Sequence, residues 1–396
     1  MNTRFSASIA RHLPDLIALR RELHTHPEIA FEEQWTSARL AAFLEASGIA
    51  VERGLARGTG LIATIKGRGD RTVALRADID ALPIHEETGL PYASKIPGRM
   101  HACGHDGHSS ILCGVARVLQ EHPAELPGTV KLLFQPAEEI TSGAPLMIKD
   151  GALKDVSAIF GLHGWPELPL GHVGVRNGCL MASTCNFFIE ITGRGSHGAN
   201  PGAGIDPVVV AAHLTTALQA VVSRETNPWE AAVLTVGKIE AGTTTNIIPE
   251  TARLEGTVRT LSKPLQDHIR AAIVRMAENI AAAFRATAKV RFNEFPCPPL
   301  HNDSAMTDLA RTAIDETLGR EKRIEITHAT MGGEDFAYYL EQVPGSFVFL
   351  GFHNGTEGSY PLLHNPRFDF NDAAIPSGVA VLAELAVRSL ESVAGR

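Results

Sequence analysis

The spacing of apolar residues changes along this chain, and each spacing predicts an element. Residues 15–23 (DLIALRREL) place Leu16, Leu19 and Leu23 at helical intervals, which gives one apolar helix face. Pro14 suits the first turn of that helix, where a missing N–H costs nothing. Residues 36–47 repeat the pattern with Leu40, Phe43 and Leu44, and Gly48 ends it. Short apolar runs follow: LIATI (61–65), TVALRAD (72–78), TVKLLFQ (129–135) and SAIFGLHG (157–164). Their length and β-branched content predict buried strands, while ILCGVARVL (111–119) has helical periodicity. Strands alternating with helices predict an α/β domain with a largely parallel central sheet and flanking helices.

The order changes near residue 184. Strands are predicted at 186–193, 231–239, 252–260 and 288–292, with helices at 206–222 and 264–284. The resulting β-α-β-β-α-β series is a ferredoxin-like unit complete in itself. It reads as an insertion at 184–297 into a discontinuous domain of residues 1–183 and 298–396. After FPCPPLHND the first pattern returns. A helix is expected at about 304–318, another starting in GEDFAYYLEQV (333–343), a strand at 346–352 and a last helix from about 372.

A chain of 396 residues with 44% apolar content suits two domains and a large core. The net charge of −8 and the lack of a basic run argue against nucleic acid or anionic membrane as partner. No run of about 18 apolar residues predicts a membrane span, and the first residues lack the apolar core of a signal peptide. Five cysteines at irregular spacing, with no C-x-x-C, point to a reducing cytoplasm rather than a disulfide framework. The 17 histidines stand out against 4 tyrosines and 3 tryptophans.

Their densest cluster is His101-Ala-Cys103-Gly-His105-Asp106-Gly-His108. Thiolate and imidazole are borderline-soft donors suited to zinc and its neighbours. One segment rarely completes a site, so further ligands are expected at other strand ends. Gln135-Pro-Ala-Glu138-Glu139 follows a predicted strand. Adjacent carboxylates there can divide into a ligand and a general base, or simply favour a helix dipole. His163 ends another strand and His364 lies near the C-terminus; each taken alone is as compatible with a structural role. In an open α/β sheet such loops share the carboxyl edge, where ligands bind. Gly193-Arg-Gly-Ser-His-Gly198 matches G-x-G-x-x-G but opens no helix directly, which argues against a dinucleotide site. G-x-S-x-G, H-E-x-x-H and the deaminase C-x-x-C are absent.

These stretches, with ELHTHPEIAFEE (22–33), LRADIDALPI (75–84), GRGSHGANP (193–201), TTTNIIPE (243–250), GTVRT (256–260), MGGEDFAYY (331–339) and PLLHN (361–365), span most of the chain. The sequence resembles the dinuclear-metal aminoacylase and carboxypeptidase family, on the branch of hippurate hydrolases and indole-acetyl-amino-acid hydrolases. That resemblance implies Cys103, His105, Glu139, His163 and His364 as ligands of two divalent metal ions, Zn²⁺ or Mn²⁺, with Co²⁺ or Ni²⁺ as alternatives. It implies Glu138 as base, His197 as oxyanion donor, and the insertion as a lid and dimerisation domain supporting a homodimer or higher homo-oligomer. The wider family has His where Arg76 stands here. His105 is expected to supply the displaced imidazole, Cys103 to bridge the ions and Asp78 to orient a ligand His.

The implied reaction is hydrolysis of the amide bond of a small N-acyl amino acid, with a carboxypeptidase or dipeptidase as the alternative on the same site. A non-catalytic metal-binding protein is a more distant alternative, with little use for a non-ligand Glu138 beside a ligand. Arg76 and Arg259 are charges inside apolar strands, so either one could hold the substrate carboxylate or form a structural ion pair. Asn246 is a further candidate for substrate binding.

Overall fold

The computed structural model describes residues 3–355 and 360–392. The chain divides into two compact units. One comprises Met1–Leu180, His301–His328 and Asp335–Arg396; the other comprises Met181–Leu300 and Ala329–Glu334.

The first unit is built on an eight-stranded sheet. Its strand order is Ala50–Leu55, Gly60–Ile65, Thr129–Gln135, Thr72–Asp78, Val156–Pro169, Gly345–His353, Val173–Val175 and Arg323–Glu325. The four central strands, from Thr129–Gln135 to Gly345–His353, run parallel. Antiparallel pairs flank them on both sides. Central strands covered on both faces need apolar residues at every position, and Thr72–Asp78 and Gly345–His353 are buried throughout.

The helix His105–Glu121 packs against the central strands and against the helices Ser6–His24 and Ile375–Ser392. Gly114 allows the close approach: a Cβ there would lie 2.7 Å from both Leu16 and Val379 side chains. The segment Asp372–Ser392 is long and apolar enough to cross a membrane by composition, but 78% of its apolar window is buried in the protein. It therefore reads as a core helix.

Three expectations need correction. The first helix starts at Ser6, so Pro14 lies in its interior rather than its first turn. Buried Phe5 and Ile9, and the Ser8 hydroxyl donating to Glu121 Oε2 at 2.6 Å, anchor the extra turns. They outweigh the hydrogen bond that an interior proline removes. The helix predicted at 111–119 starts at His105, which puts His105 and His108 on a rigid element one turn apart. The segment 333–343 forms only the short helix Ala337–Leu340. Asp335 is drawn into a buried polar cluster, and the Gln342 and Val343 amides close a turn onto the Tyr339 carbonyl.

The second unit carries a four-stranded antiparallel sheet, in the order Ala232–Ala241, Thr251–Thr260, Cys185–Thr192 and Thr287–Phe292. Along Cys185–Thr192, buried Cys185, Phe187, Ile189 and Ile191 alternate with polar or part-exposed residues. The buried row packs against the helices Pro207–Arg224 and Lys263–Ala283 through Leu214, Leu218, Ile269 and Ile273. Asp206 caps the first helix by accepting from the Val208 and Val209 amides, and Ser262 caps the second. This is the βαββαβ ferredoxin-like arrangement.

Candidate metal centre and active site

Parallel strands deliver their carboxyl ends to one edge of the sheet, where loops and helix starts can converge. At that edge of the first unit Thr72–Asp78 leads into Asp80, Thr129–Gln135 leads into Glu138 and Glu139, and His163 lies on its own strand. Gly104, at φ +88°, turns the chain so that Cys103 precedes His105 at the start of its helix.

Three groups of donor atoms come together, each lying within 4.8 Å: Cys103, Glu139 and His364; His105, Glu138 and Glu139; and Asp78, His105, His108 and His163. Cys103 Sγ is 3.4 Å from His163 Nε2. Glu139 Oε1 is 3.8 Å from His105 Nε2, and Glu139 Oε2 is 3.4 Å from His364 Nε2. Glu138 is 6% exposed.

The hydrogen bonds fix several imidazole tautomers. A carbonyl oxygen only accepts, so His105 donates from Nδ1 to Asp80 O at 2.9 Å, and His163 donates from Nδ1 to Gly164 O at 2.8 Å. Both Nε2 atoms then face the cluster. A backbone N–H only donates, so His108 Nε2 accepts from Gly164 N at 2.7 Å while its Nδ1–H donates to Asp78 Oδ1 at 2.6 Å. His108 thus has both ring nitrogens engaged and ties two strand ends together. His101 is buried, and burial pushes its pKa down to about 4.

His105 Nε2 and Glu139 Oε1 are buried without a hydrogen-bond partner, a costly state for polar atoms. Sulfur, imidazole and carboxylate donor atoms converging at separations of 3.4–3.8 Å fit cations of the zinc class, which would displace their protons. The electrostatics agree. Burial alone would lower the pKa of His105, but Asp78, Asp80 and Glu139 push it up to about 10. Burial raises the Cys103 thiol, and Glu139, Glu138 and Asp78 raise it further. The edge therefore holds an excess of negative charge.

Arg76 is fully buried and donates to Gln135 Oε1 at 2.9 Å, Asp78 Oδ2 at 2.8 Å and Asp335 Oδ1 at 3.0 Å. These contacts are those of a structural ion pair, the alternative to substrate binding. Asp78 also departs from expectation: its two oxygens serve His108 and Arg76, and it lies 3.6 Å from His105 Nε2, the cluster-facing nitrogen. The carboxylate that orients His105 is Asp80, which also accepts from the Glu139 amide at 3.0 Å. Asp80 lies two residues beyond Asp78 in RADID, the spacing that repeats one face of a strand. Asp335 and Glu33 were likewise missed. The Asp335 carboxylate accepts from Gln135 and from the Ala144 amide, and Glu33 accepts from the Ala137 amide.

In the second unit, His197 pairs with Ile247 in a two-residue ladder, and the Gly198 amide donates to Asn246 O at 2.8 Å. Both His197 and Asn246 are exposed. His197 Nδ1 accepts from the Ala199 amide at 3.0 Å, which leaves Nε2–H as an outward donor. Arg259 donates to Thr184 Oγ1 at 2.6 Å, and no ion pair to it is found among the described residues. Burial lowers its pKa.

Fold and donor set together define an α/β protein with a candidate metal site at the carboxyl edge of its central sheet. Residues 74–388 match the model of peptidase family M20/M25/M40. The chain is 46% identical over 378 residues, 95% of this chain and 88% of the relative, to N-acetyl-L-cysteine deacetylase of Bacillus subtilis (strain 168). It is 40% identical over 386 residues, 96% and 86% of the two chains, to IAA-amino acid hydrolase ILR1-like 2 of Arabidopsis thaliana. A crystal structure of a Bacillus subtilis dinuclear metal-binding peptidase from the M20 family aligns with TM-score 0.83 and 40% identity, over 97% of this chain and 99% of that one. The chain belongs to peptidase family M20/M25/M40 and is a hydrolase acting on amide bonds.

Proposed function

We propose that this protein hydrolyses the amide bond of N-acyl amino acids, of the N-acetyl, hippurate-like or indole-acetyl kind, to a carboxylic acid and a free amino acid. The observation that carries this reading is the convergence of Cys103, His105, Glu139 and His364 with Glu138 immediately beside a ligand. With His163, these five residues would hold two divalent ions, Zn²⁺ or Mn²⁺, or else Co²⁺ or Ni²⁺. When bound, such ions supply Lewis acidity to the carbonyl and lower the pKa of water.

The protein's own groups do the remainder. Glu138 accepts a proton from the attacking water as its oxygen bonds to the acyl carbon. His197 donates from Nε2–H to the developing oxyanion. Glu138 returns its proton to the leaving nitrogen as the C–N bond breaks. Arg259, a half-buried cation without a carboxylate partner among the described residues, and Asn246 receive the substrate carboxylate. Residues 184–297 serve as the lid and as the contact of a homodimer or higher homo-oligomer. Free cysteines throughout fit a cytoplasmic setting.

Metal-loaded protein should be assayed by released amine against N-acetyl, N-benzoyl and indole-acetyl amino acids, with dipeptides alongside. Turnover of the acyl amino acids supports this reading. Turnover of dipeptides alone would replace it with a dipeptidase.

A further inference from the structure

Glu138 and Glu139 are consecutive, and one is assigned to the base and the other to a ligand. The direction in which this pair leaves the preceding strand is set at Ala137, which sits at φ +56°, in the left-handed region. A Cβ disfavours that region, and a non-glycine residue stays there only when its surroundings hold it.

The grip on Ala137 is visible on both sides. Its carbonyl accepts from the Ser142 and Gly143 amides, each at 3.2 Å. Gly143 can close this turn only as glycine, because a Cβ there would lie 1.7 Å from the Pro136 carbonyl oxygen. The Ala137 N–H donates to Glu33 Oε1 at 3.0 Å. Glu33 is fully buried and comes from a segment about a hundred residues earlier. Two residues on, the Glu139 amide donates to Asp80 Oδ2. Two buried carboxylates therefore take alternate amides of the segment that carries both functional glutamates. A buried side-chain oxygen needs a hydrogen-bond partner, and Glu33 Oε1 finds its partner in the Ala137 amide.

We infer that Glu33 is a positioning residue: by holding Ala137 in its left-handed conformation, it sets the direction of the Glu138 carboxylate. This rests on the assignment of Glu138 as base, and the test separates the two. Glu33→Leu should lose kcat by about 10- to 100-fold, the scale of a displacement near 1 Å. KM should stay within about threefold and metal content should be unchanged. Glu33→Gln, which keeps an acceptor oxygen, should retain most of kcat. Adding Ala137→Gly to Glu33→Leu should recover kcat at least severalfold, because glycine takes positive φ without cost.

Hydrogen exchange of the metal-free protein gives a readout independent of activity. The peptide containing Ala137 should exchange faster in Glu33→Leu, but not in Glu33→Gln. If the Leu variant does not fold, Glu33→Asp withdraws the oxygen while keeping the charge, and should show the same kcat loss. Unchanged exchange at Ala137, or a kcat loss that glycine at 137 leaves untouched, overturns the inference. Wild-type protein inactive on every acyl amino acid would instead remove the assigned reaction, and exchange alone would then decide the role of Glu33.

Discussion

Replacing Arg76 with methionine should destabilise the protein without weakening substrate binding. The guanidinium makes bonds of 2.9, 2.8 and 3.0 Å to Gln135, Asp78 and Asp335, and both acids are fully buried with it. Removing one partner of such a cluster leaves buried charge uncompensated and costs about 3–5 kcal/mol. At about 2–4 °C per kcal/mol for a large domain, the melting temperature should fall by about 6–20 °C. The deficit should also depend on pH. Burial pushes Asp335 up to about 6 against the opposing pull of Arg76. A carboxyl raised on folding holds its proton more tightly in the native state. Its contribution is present below the ordinary value of 3.8 and is lost as pH rises through about 6. Without Arg76 that loss extends to higher pH, so the deficit should be larger at pH 8 than at pH 6. Melting followed by circular dichroism at both pH values, with KM measured on an N-acyl amino acid, tests the argument. A variant as stable as its parent with KM raised tenfold or more would show that Arg76 meets the substrate instead.

Glu138→Gln should keep its metals and lose about 10² to 10⁴ in kcat, as general-base removal typically does; elemental analysis with kinetics checks both halves. A thiol reagent should modify Cys103 faster in chelated protein than in metal-loaded protein, because ligation masks the sulfur, and peptide mapping should leave buried Cys113 unmodified in both. Amidating the substrate carboxylate should lower kcat/KM by about tenfold or more if Arg259 receives it, since a charge-assisted contact contributes about 1.5–3 kcal/mol. Mixing inactive His197→Ala and Glu138→Gln subunits should restore activity towards half of wild type per heterodimer if His197 acts in the partner's site. No recovery after demonstrated subunit exchange would confine it to its own subunit.

Periodicity alone located the central strands and both helices of the second unit, because those residues have strongly one-sided or wholly apolar surroundings. It failed where tertiary contacts set the outcome. The chain passes through Pro14 as a helix because Phe5 and Ile9 find burial, which local pattern cannot show. The short outer strands Val173–Val175 and Arg323–Glu325 have three residues each, too few to carry a period. At the metal-type cluster, residue type revealed the donors: Cys103, His105 and the paired glutamates are conspicuous chemistry. The residues that aim them were hidden. Asp80 and Glu33 act through backbone amides and a ring N–H, and Asp335 through a partner more than two hundred residues away. Nothing in a carboxylate's identity says which amide it will meet. Arg76 was undecided for the same reason, since a buried cation in a strand needs an anion that only the fold supplies.

The strand Gly345–His353 occupies the interior of the large sheet although it follows all the other described strands in the chain. Its neighbour Val156–Pro169, which carries His163, waits with one flank open until some 180 further residues have been made. Closure across so long a loop is slow compared with local pairing. The four-stranded sheet in between lies within residues 185–292 and needs nothing from the C-terminal segment to pair its strands, so on the ribosome it can form first and shorten the effective span to be bridged. A nascent chain stopped before residue 345 would display an unpaired apolar strand edge, a surface that invites aggregation. Assembly of the metal-type cluster thereby waits until this interior strand has been made, because His364 follows it in the chain.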